Sequence, residues 1–427
     1  MNVTFRNKVK RRCPLVNGAT LTEPRQQFAR TVNFQITTVK EKKMPLKFGF
    51  WSEQETQVGH SYSNRLRELV REALFAEQMG FDFVALSEQH FALGGVSSSA
   101  PEVVFGYLAA VTSRIKLRPA VALMPKAINH ALRTAERLAA TDILSDGRME
   151  MYCGRANTTI AMRAFNVSPE ETLPQMEEGM ALLRKAMRED VFTFEGKYYQ
   201  VPPRSLVPKP LQKPYPVLGV AATSANSHAW AGSEGLAVMS HAIYQGWEKQ
   251  KGLLDTYWKS WKRDETGPLH KPRAGMPLFI GIGKTDQEAK DTYARAIMNY
   301  ARISTDAYPR LAKLADNYAY MAESVPAMQR ASEDWDYLLN ESATTVCGSP
   351  DTVIRQLEQY EKLGIDEVLL HIDSVPHEQI MSAIEMVGRY VIPHFNDRNN
   401  IVRPTDELLE KIRAMRPQAA NPQHTQG

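Results

Sequence analysis

Eight short apolar runs alternate along the chain with segments whose apolar residues recur at helical spacing. The runs are 46–50, 81–88, 115–124, 148–154, 216–222, 236–240, 277–283 and 366–372. Strands that helices cover on both faces have such uninterrupted apolar runs, because neither face meets water. Eight strands with intervening helices therefore predict an α/β fold, and specifically one (β/α)8 TIM barrel of parallel strands.

A doubly wound open sheet is the alternative architecture. Such a sheet carries a glycine-rich phosphate-binding motif after its first strand. Residues 51–60, with the sequence WSEQETQVGH, follow the first run and contain no such motif. The barrel is therefore the favoured fold, and TTVCG at 344–348 is a possible additional short strand.

The predicted barrel takes up residues 44–398 of the 427, between two flanking segments. Residues 1–43 hold ten Lys or Arg and two Glu, a balance of +8 within a chain of net charge +4, which leaves −4 for the remainder. We expect a flexible, disordered basic leader there, with a transit peptide or a start upstream of Met44 as alternatives. Residues 300–343 follow the seventh strand and are expected to form an insertion, either a lid or a packing element. Residues 399–427 are expected to be a C-terminal tail.

Composition excludes several classes of protein. A mildly acidic body does not suit a nucleic-acid-binding protein. No run of about 18 apolar residues is present, so no membrane span is expected. The three cysteines, Cys13, Cys153 and Cys347, form no CxxC pair, which argues against a disulfide scaffold or a zinc ribbon. This cysteine usage favours a reducing compartment, and we expect a cytoplasmic protein.

In a TIM barrel the chemistry lies at the carboxyl ends of the strands. Metal-dependent barrel hydrolases place a His-x-His on the first strand, and the first run here contains no histidine. His90, His241, His371 and Asp373 follow other runs, but their pattern is poor, and no metal site is predicted. A glycosidase needs two facing carboxylates, and only Glu88 is a convincing candidate.

Four segments resemble the bacterial luciferase-like flavin-dependent monooxygenases. They are SEQHF at 87–91, AERLAATDILSDGRMEMYCGRA at 135–156, LVPKPLQKPYPVLGVAATSANSHAWAGSEGLAVM at 206–239 and VCGSPDTVIRQLEQYEKLGIDEVLLHID at 346–373. The segments occur in the family's order, and the resemblance covers roughly 46–395. It implies the same TIM barrel that the apolar runs predict independently.

The resemblance also implies a function. Members of the family bind reduced FMN (FMNH2) at the mouth of the barrel and use O2 as co-substrate. A C4a-(hydro)peroxyflavin then oxygenates a small organic substrate. No nicotinamide-binding motif is present in this chain, so a separate flavin reductase is the expected partner in a two-component system, and a homodimer is expected. A deazaflavin-dependent oxidoreductase and a non-catalytic flavin-binding subunit of the same fold are the alternatives.

The resemblance carries over to particular residues. Arg155 matches the arginine that binds the flavin phosphate, and Ser224, with Thr223 before it, matches the phosphate contact after the fifth strand. A phosphate needs charge-assisted donors and the free N–H groups of a helix start, which these positions offer. Ala120 and Val121 match the small-residue pair behind the isoalloxazine ring, where the family's third strand often has a bulge and a non-proline cis peptide.

The chain departs from the family at three positions. Gln89 replaces the first histidine of the family's EHH motif, and glutamine is neither acid nor base near neutral pH. His90 is then the candidate proton carrier, so Gln89 and His90 are the predicted catalytic residues. Ala156 replaces a glycine, and because alanine tolerates positive φ poorly, the turn is expected to differ. Gly154 stands at the position of the family's reactive cysteine. Cys153 lies one place before it and is expected to be a core residue.

Overall fold

A closed barrel of eight parallel strands forms the body of the protein. The computed structural model describes residues 45–91, 96–373 and 375–396; the predicted leader 1–43 and tail 399–427 lie outside them. The barrel strands are β1 (Lys47–Ser52), β2 (Phe83–Leu86), β3 (Lys116–Leu123), β4 (Met151–Gly154), β7 (Leu218–Ala222), β8 (Ala237–Ser240), β9 (Ala274–Ile282) and β11 (Glu367–His371). Each strand pairs with its neighbours, and β1 with β11 closes the ring. The predicted fold and its eight strands are confirmed.

Three further strands lie outside this ring. β5 (Phe192–Glu195) and β6 (Gln200–Arg204) form an antiparallel hairpin, which the apolar runs did not predict. β10 (Thr345–Gly348) is the additional short strand predicted at 344–348, and it pairs with the end of β9.

Helices surround the barrel. They are α1 (Tyr62–Gln78), α2 (Pro101–Val111), α3 (Ala131–Leu144), α4 (Thr159–Ala164), α5 (Thr172–Arg188), α6 (Ala225–Ser233), α7 (Gly246–Ser260), α8 (Asp286–Ala312), α9 (Val325–Glu333), α10 (Trp335–Asn340), α11 (Pro350–Leu363), α12 (His377–Met386) and α13 (Ile392–Phe395). Within the described residues, none of these helices is long and apolar enough to cross a bilayer.

Strand alternation divides the core into two layers. Along β2, Phe83 and Ala85 point into the barrel, whereas Val84 and Leu86 join the layer between the strands and the helices. Cys153 belongs to that outer layer and is fully buried, which confirms its predicted place in the core. Burial raises the pKa of the Cys153 thiol to about 12, so it stays protonated at neutral pH.

The segment after β9 differs from its predicted form. The insertion was predicted to begin at residue 300, but helix α8 continues without a break through this position to Ala312. A 3₁₀ helix follows at Asp316–Ser324, and then α9 and α10. The predicted insertion 300–343 therefore begins inside a helix, and its first part is the C-terminal half of α8.

Candidate functional site

A cavity of about 1170 Å³, measured with its open mouth, lies at the carboxyl ends of the barrel strands. Five of the seven predicted site residues line it: Gln89, Ala120, Val121, Arg155 and Thr223. They come from the exits of β2, β3, β4 and β7, so the topology brings together residues that are distant in sequence. A cavity at this position is typical of cofactor sites in TIM barrels.

The β3 wall of the cavity has the predicted irregularity. The peptide bond between Ala120 and Val121 is cis, and the register of β3 against β4 shifts between Ala120 and Ala122. The Val121 side chain lies over Gly154, where an added Cβ would come within 2.4 Å of Val121 Cγ2. Glycine at 154 is therefore required for β3 and β4 to approach each other below the cavity.

Arg155 follows directly at the β4 exit and is half-buried. Its Nη2 donates to the backbone oxygen of Asn317 (2.8 Å) and lies 3.4 Å from the Tyr320 hydroxyl. Its guanidinium lies 4.0 Å from the centre of the Tyr318 ring. All these partners are neutral, and none of the ion pairs among the described residues includes Arg155. Its charge is thus available to an anion at the cavity mouth.

Thr223 and Ser224 follow β7 and have different surroundings. The Thr223 hydroxyl lies 2.6 Å from the Tyr320 hydroxyl, at the cavity wall. Ser224 is the N-cap of α6: its hydroxyl accepts from the backbone N–H of Ser227 in a reciprocal capping box. Ser224 is not on the cavity wall, so its predicted contact with a phosphate stays a prediction, and Thr223 is the better-placed hydroxyl.

The turn at Ala156 corrects an expectation. We expected this turn to differ because alanine tolerates positive φ poorly, yet Ala156 has φ +72°. Its carbonyl accepts from the Tyr318 hydroxyl at 2.8 Å, and its methyl group is buried in a cluster with Leu123 and Met162. These contacts hold the left-handed conformation that a glycine adopts freely.

The β2 exit separates its two predicted catalytic residues. Gln89 faces the cavity, whereas His90 packs edge-on against Phe165 (5.0 Å between ring centres) and its Nε2 lies 2.8 Å from Glu88 Oε1. Glu88 lies on the cavity wall and accepts from the N–H of Leu123 at 2.8 Å. The structure does not bring His90 to the wall, so its catalytic role stays a prediction.

Glu53, at the β1 exit, is a functional candidate that the sequence analysis passed over. It lines the cavity, is 6% exposed, and accepts from the Tyr300 hydroxyl at 2.8 Å. Burial raises the pKa of Glu53 to about 7; hydrogen bonds from Tyr300 and Gln89 partly offset this, and the Asp373 charge adds to it. The available signal was its position, an acidic residue directly after a barrel strand.

Asp373 shapes this exit from the end of β11. Its carboxylate accepts from the Ser52 hydroxyl (2.9 Å) and from the backbone N–H groups of Glu53 (2.7 Å) and Glu55 (3.1 Å). Arg65 neutralises it, with Nη2 at 2.6 Å. The turn after β1 is thus folded around one buried carboxylate, which aims Glu53 at the cavity.

Several buried polar atoms around the cavity make no hydrogen bond within the described part of the chain. They are Trp51 Nε1, the Ser87 and Tyr244 hydroxyls, and both ring nitrogens of His371. Potential ligand atoms of Glu53, Glu55 and His371 also lie within 4.8 Å of one another. Native interiors leave few such atoms unsatisfied, so this region of the cavity is suited to a polar ligand.

The segment after β9 covers the cavity mouth. Tyr300, Ser304 and Tyr308 of α8 line the cavity, as do Tyr320 and Met321 of the 3₁₀ helix. Residues of the predicted insertion 300–343 thus form part of the cavity wall, and their role as a lid or as a packing element stays a prediction.

The model of the luciferase-like monooxygenase family matches residues 46–367, which is most of the chain. The protein belongs to this family. The family predicted from the four sequence segments is confirmed, and with it the expectation of a flavin-dependent monooxygenase.

Two curated relatives match over most of their length. The FMNH2-dependent dimethylsulfone monooxygenase of Pseudomonas putida is 24% identical over 366 residues, which cover 82% of this chain and 95% of the relative. The oxygenase component of a flavin-dependent trigonelline monooxygenase from Acinetobacter baylyi is 22% identical over 367 residues, which cover 81% of this chain and 93% of the relative.

Solved structures of the same fold include enzymes that use different cofactors. The oxygenating constituent of 3,6-diketocamphane monooxygenase from Pseudomonas putida, in complex with FMN, has a TM-score of 0.66 at 20% identity and covers 83% of this chain and 99% of its own. A coenzyme F420-dependent tetrahydromethanopterin reductase from Methanopyrus kandleri has a TM-score of 0.60 at 16% identity and covers 82% and 100%. At these identities the likeness shows the barrel fold alone.

Proposed function

We propose that this protein is the oxygenase component of a two-component monooxygenase. It takes reduced FMN from a separate flavin reductase and uses O2 to oxygenate a small organic substrate. The observation that carries the proposal is Arg155, a charged donor with only neutral partners, which lies beside Thr223 at the mouth of a large cavity. The named relatives, an FMNH2-dependent enzyme and an oxygenase component, support it.

The residues present fit FMN. Arg155 and Thr223 would hold the phosphate, and the N-terminal N–H groups of α6 lie next to Thr223 in the chain. The bulge at Ala120–Val121 would lie behind the isoalloxazine ring. When bound, reduced FMN supplies the two electrons that reduce O2, so that one oxygen atom enters the substrate and the other leaves as water.

Proton handling in this proposal falls to Glu53 and not to the β2 exit. Gln89 can orient a ligand by hydrogen bonding but cannot exchange a proton near neutral pH. Glu53 has a pKa of about 7, which suits a group that gains and loses a proton at working pH. Tyr300 donates to Glu53 Oε2 and so fixes the carboxyl group in place. His90 acts through Glu88, as a positioning residue.

The lid serves to exclude water. Tyr318 and Tyr320 join the 3₁₀ helix to the exits of β4 and β7, directly above the proposed phosphate site. A closed site protects an oxygen-activating flavin from releasing H2O2 before the substrate reacts.

A deazaflavin-dependent oxidoreductase is the second candidate, because coenzyme F420-dependent enzymes share this barrel. The two cofactors have different ring systems, and the reactions differ in their need for O2. Anaerobic titration of the full chain with reduced FMN and with reduced F420, each followed by addition of O2, separates the candidates. Tight binding of F420 alone would refute the FMN proposal.

Arg155→Ala tests the cofactor site. Loss of charged hydrogen bonds worth about 1.5–3 kcal/mol should weaken FMN binding roughly 10- to 100-fold. Riboflavin, which lacks the phosphate, should bind the variant and the wild type equally. Arg163→Ala removes an exposed arginine from the neighbouring helix α4 and is the matched control. Equal FMN affinity in wild type and Arg155→Ala would contradict the assignment.

A further inference from the structure

The proposed flavin contacts occupy only half of the cavity. They come from the exits of β2, β3, β4 and β7, whereas the other half is lined by residues of β1, β8, β9 and helix α8. Because the flavin ring would rest against β3, a substrate has to lie against this second half. The chemistry of that wall therefore reports on the substrate, and this inference rests on the proposed function.

Aromatic rings dominate the second half. Trp51, Phe279 and Tyr300 line the cavity, and the His371 ring lies behind them, with ring centres 4.9, 5.0 and 5.4 Å away respectively. Phe279 and Tyr300 are themselves 4.9 Å apart. Such a contiguous group of ring faces accepts an apolar or aromatic body, and ring faces also attract cations.

Glu53 presents its carboxyl group to the cavity at this aromatic wall, and Glu55 lies behind the wall, with Oε1 3.4 Å from His371 Nε2. Among the described residues no Lys, Arg or His forms an ion pair with Glu53, and no basic group acts on its pKa. Asp373 nearby pairs with Arg65, a guanidinium that it shares with Glu72. The two imidazoles of this half, His241 and His371, are neutral, because desolvation lowers the pKa of each to about 4. The wall thus combines a carboxyl group with aromatic rings and contains no positive charge.

We propose that the substrate of this enzyme carries a cationic nitrogen on an apolar or aromatic body, with Glu53 as its counter-ion and Trp51, Phe279 and Tyr300 around it. A buried carboxylate without a counter-ion is costly, and a ligand cation supplies the missing charge. The same wall disfavours an anionic substrate, because a second negative charge would lie against Glu53 without compensation.

Three soluble probes of one shape test the class: protonated benzylamine, benzyl alcohol and benzoate. Isothermal titration calorimetry is performed on the full chain saturated with oxidised FMN, so that no probe enters the flavin half. At about pH 8 we expect benzylammonium to bind roughly 10- to 100-fold more tightly than benzyl alcohol, the range for a charged hydrogen bond. Benzoate should be the weakest.

Two variants assign the effect to the carboxyl group. Glu53→Gln keeps the shape and should remove the preference for benzylammonium over benzyl alcohol. Glu248→Gln removes an exposed carboxyl group from α7, away from the cavity wall, and the preference should persist in this matched control.

Proton release from Glu53 when benzylammonium binds gives a second readout. A change in the shape of the cavity alone would not alter it. Glu53 faces Tyr300 of α8, Gln89 of the β2 exit, Asp373 of the β11 exit, and Glu55 and His371. Its raised pKa keeps Glu53 partly protonated near neutral pH, so a bound cation should expel a fraction of a proton per site. Titration in buffers of different ionisation enthalpy measures this, and Glu53→Gln should abolish it.

Failure of the proposed substrate class and failure of the proposed FMN site give different results. Failure to bind FMN refutes the flavin site and leaves the probe series readable on the cofactor-free chain. Equal binding of benzyl alcohol, tighter binding of benzoate, or a preference that survives Glu53→Gln would overturn the substrate class. Binding of Mn²⁺ or Zn²⁺ that blocks benzylammonium and is lost in Glu53→Gln would also overturn it, in favour of a metal centre at Glu53, Glu55 and His371.

Discussion

Glu53 owes its properties to neighbours that are distant in sequence. Asp373 folds the turn that carries it, and Tyr300 donates to it from a helix more than two hundred residues away in the chain. A sequence shows an acidic residue after a strand, but it does not show that the residue is buried beside a second carboxylate. For the same reason the conformation of Ala156 was mispredicted: the Tyr318 hydroxyl that stabilises its turn comes from the lid.

Replacing Glu53 by glutamine should stabilise the protein above neutral pH. The pKa of Glu53 is about 7 in the folded protein and about 4.3 when unfolded, so its favourable contribution is present below about pH 4.3 and is lost as pH rises through 7. Glu53→Gln should raise the free energy of unfolding by about 1–3 kcal/mol at pH 8 and leave it nearly unchanged at pH 4.

Urea unfolding at the two pH values measures this difference. Glu265→Gln, at an exposed position paired with Arg263, is the control and should change stability by less than about 0.5 kcal/mol at both. A variant of Glu53 that is equally stable or less stable than the wild type at pH 8 would contradict the burial of an uncompensated carboxyl group.

At the scale of elements, the pattern of apolar residues predicted the barrel strands and missed the elements outside the barrel. The barrel strands are continuous apolar runs, so their positions follow from the sequence. The hairpin of β5 and β6 has mostly exposed or half-buried residues, and β6 contains Pro202 and Pro203, so no such signal exists. The lid likewise lacks one clean apolar face, because its tyrosines hydrogen-bond to several different strand exits.

Tyr318 anchors the 3₁₀ helix of the proposed lid. It is fully buried, it lies beneath the Arg155 guanidinium, and its hydroxyl is shared between the Ala156 carbonyl (2.8 Å) and the Thr172 hydroxyl (2.9 Å). Tyr318→Phe should cost about 0.5–1.5 kcal/mol of stability. We expect the loosened lid to lower the product formed per reduced FMN consumed and to raise H2O2 release by several-fold.

Tyr107→Phe on α2, where the side chain is 58% exposed, is the control for the lid experiment. It should leave both the product yield and the H2O2 release at the wild-type values. Hydrogen exchange over 316–324 should be faster in Tyr318→Phe than in this control. If Tyr318→Phe changed neither the product formed per reduced FMN nor the hydrogen exchange over 316–324, the segment would be a packing element and not a lid.

At the scale of the whole molecule, the barrel contains a second set of buried charges, separate from the cavity. Arg118 is fully buried and pairs with Glu150 (2.5 Å) and Glu367 (2.7 Å), and Arg273 bridges the same two carboxylates. Tyr152 donates to Glu367 at 2.8 Å. Two arginines and two glutamates carry equal and opposite charge here, whereas Glu53 forms no ion pair among the described residues. In the sequence, Arg118, Glu150 and Glu367 are isolated charges within three different apolar runs, and Arg273 precedes a fourth. Only closure of the barrel brings the four together.

This balanced group predicts how the fold responds to acid. The paired arginines Arg118 and Arg273 hold the pKa of Glu367 near 2 and that of Glu150 well below its usual range. A carboxylate with a lowered pKa contributes stability above its unfolded pKa of about 4.3, and that stability is lost as pH falls towards the folded value. The free energy of unfolding should therefore fall steeply between about pH 4 and pH 2.

Removing one partner of this group should be costly, because the remaining charges are then buried without compensation. Glu367→Gln leaves Arg118 and Arg273 with one carboxylate, and we expect a loss of about 3–5 kcal/mol near pH 7, measured by urea unfolding. The loss should shrink as pH falls towards 2, since protonation removes the same charge from the wild type. Glu341→Gln, in an exposed pair with Arg330, should show neither effect. If Glu367→Gln lost the same stability at every pH, shape and hydrogen bonding would stabilise this group of residues, and charge balance would not.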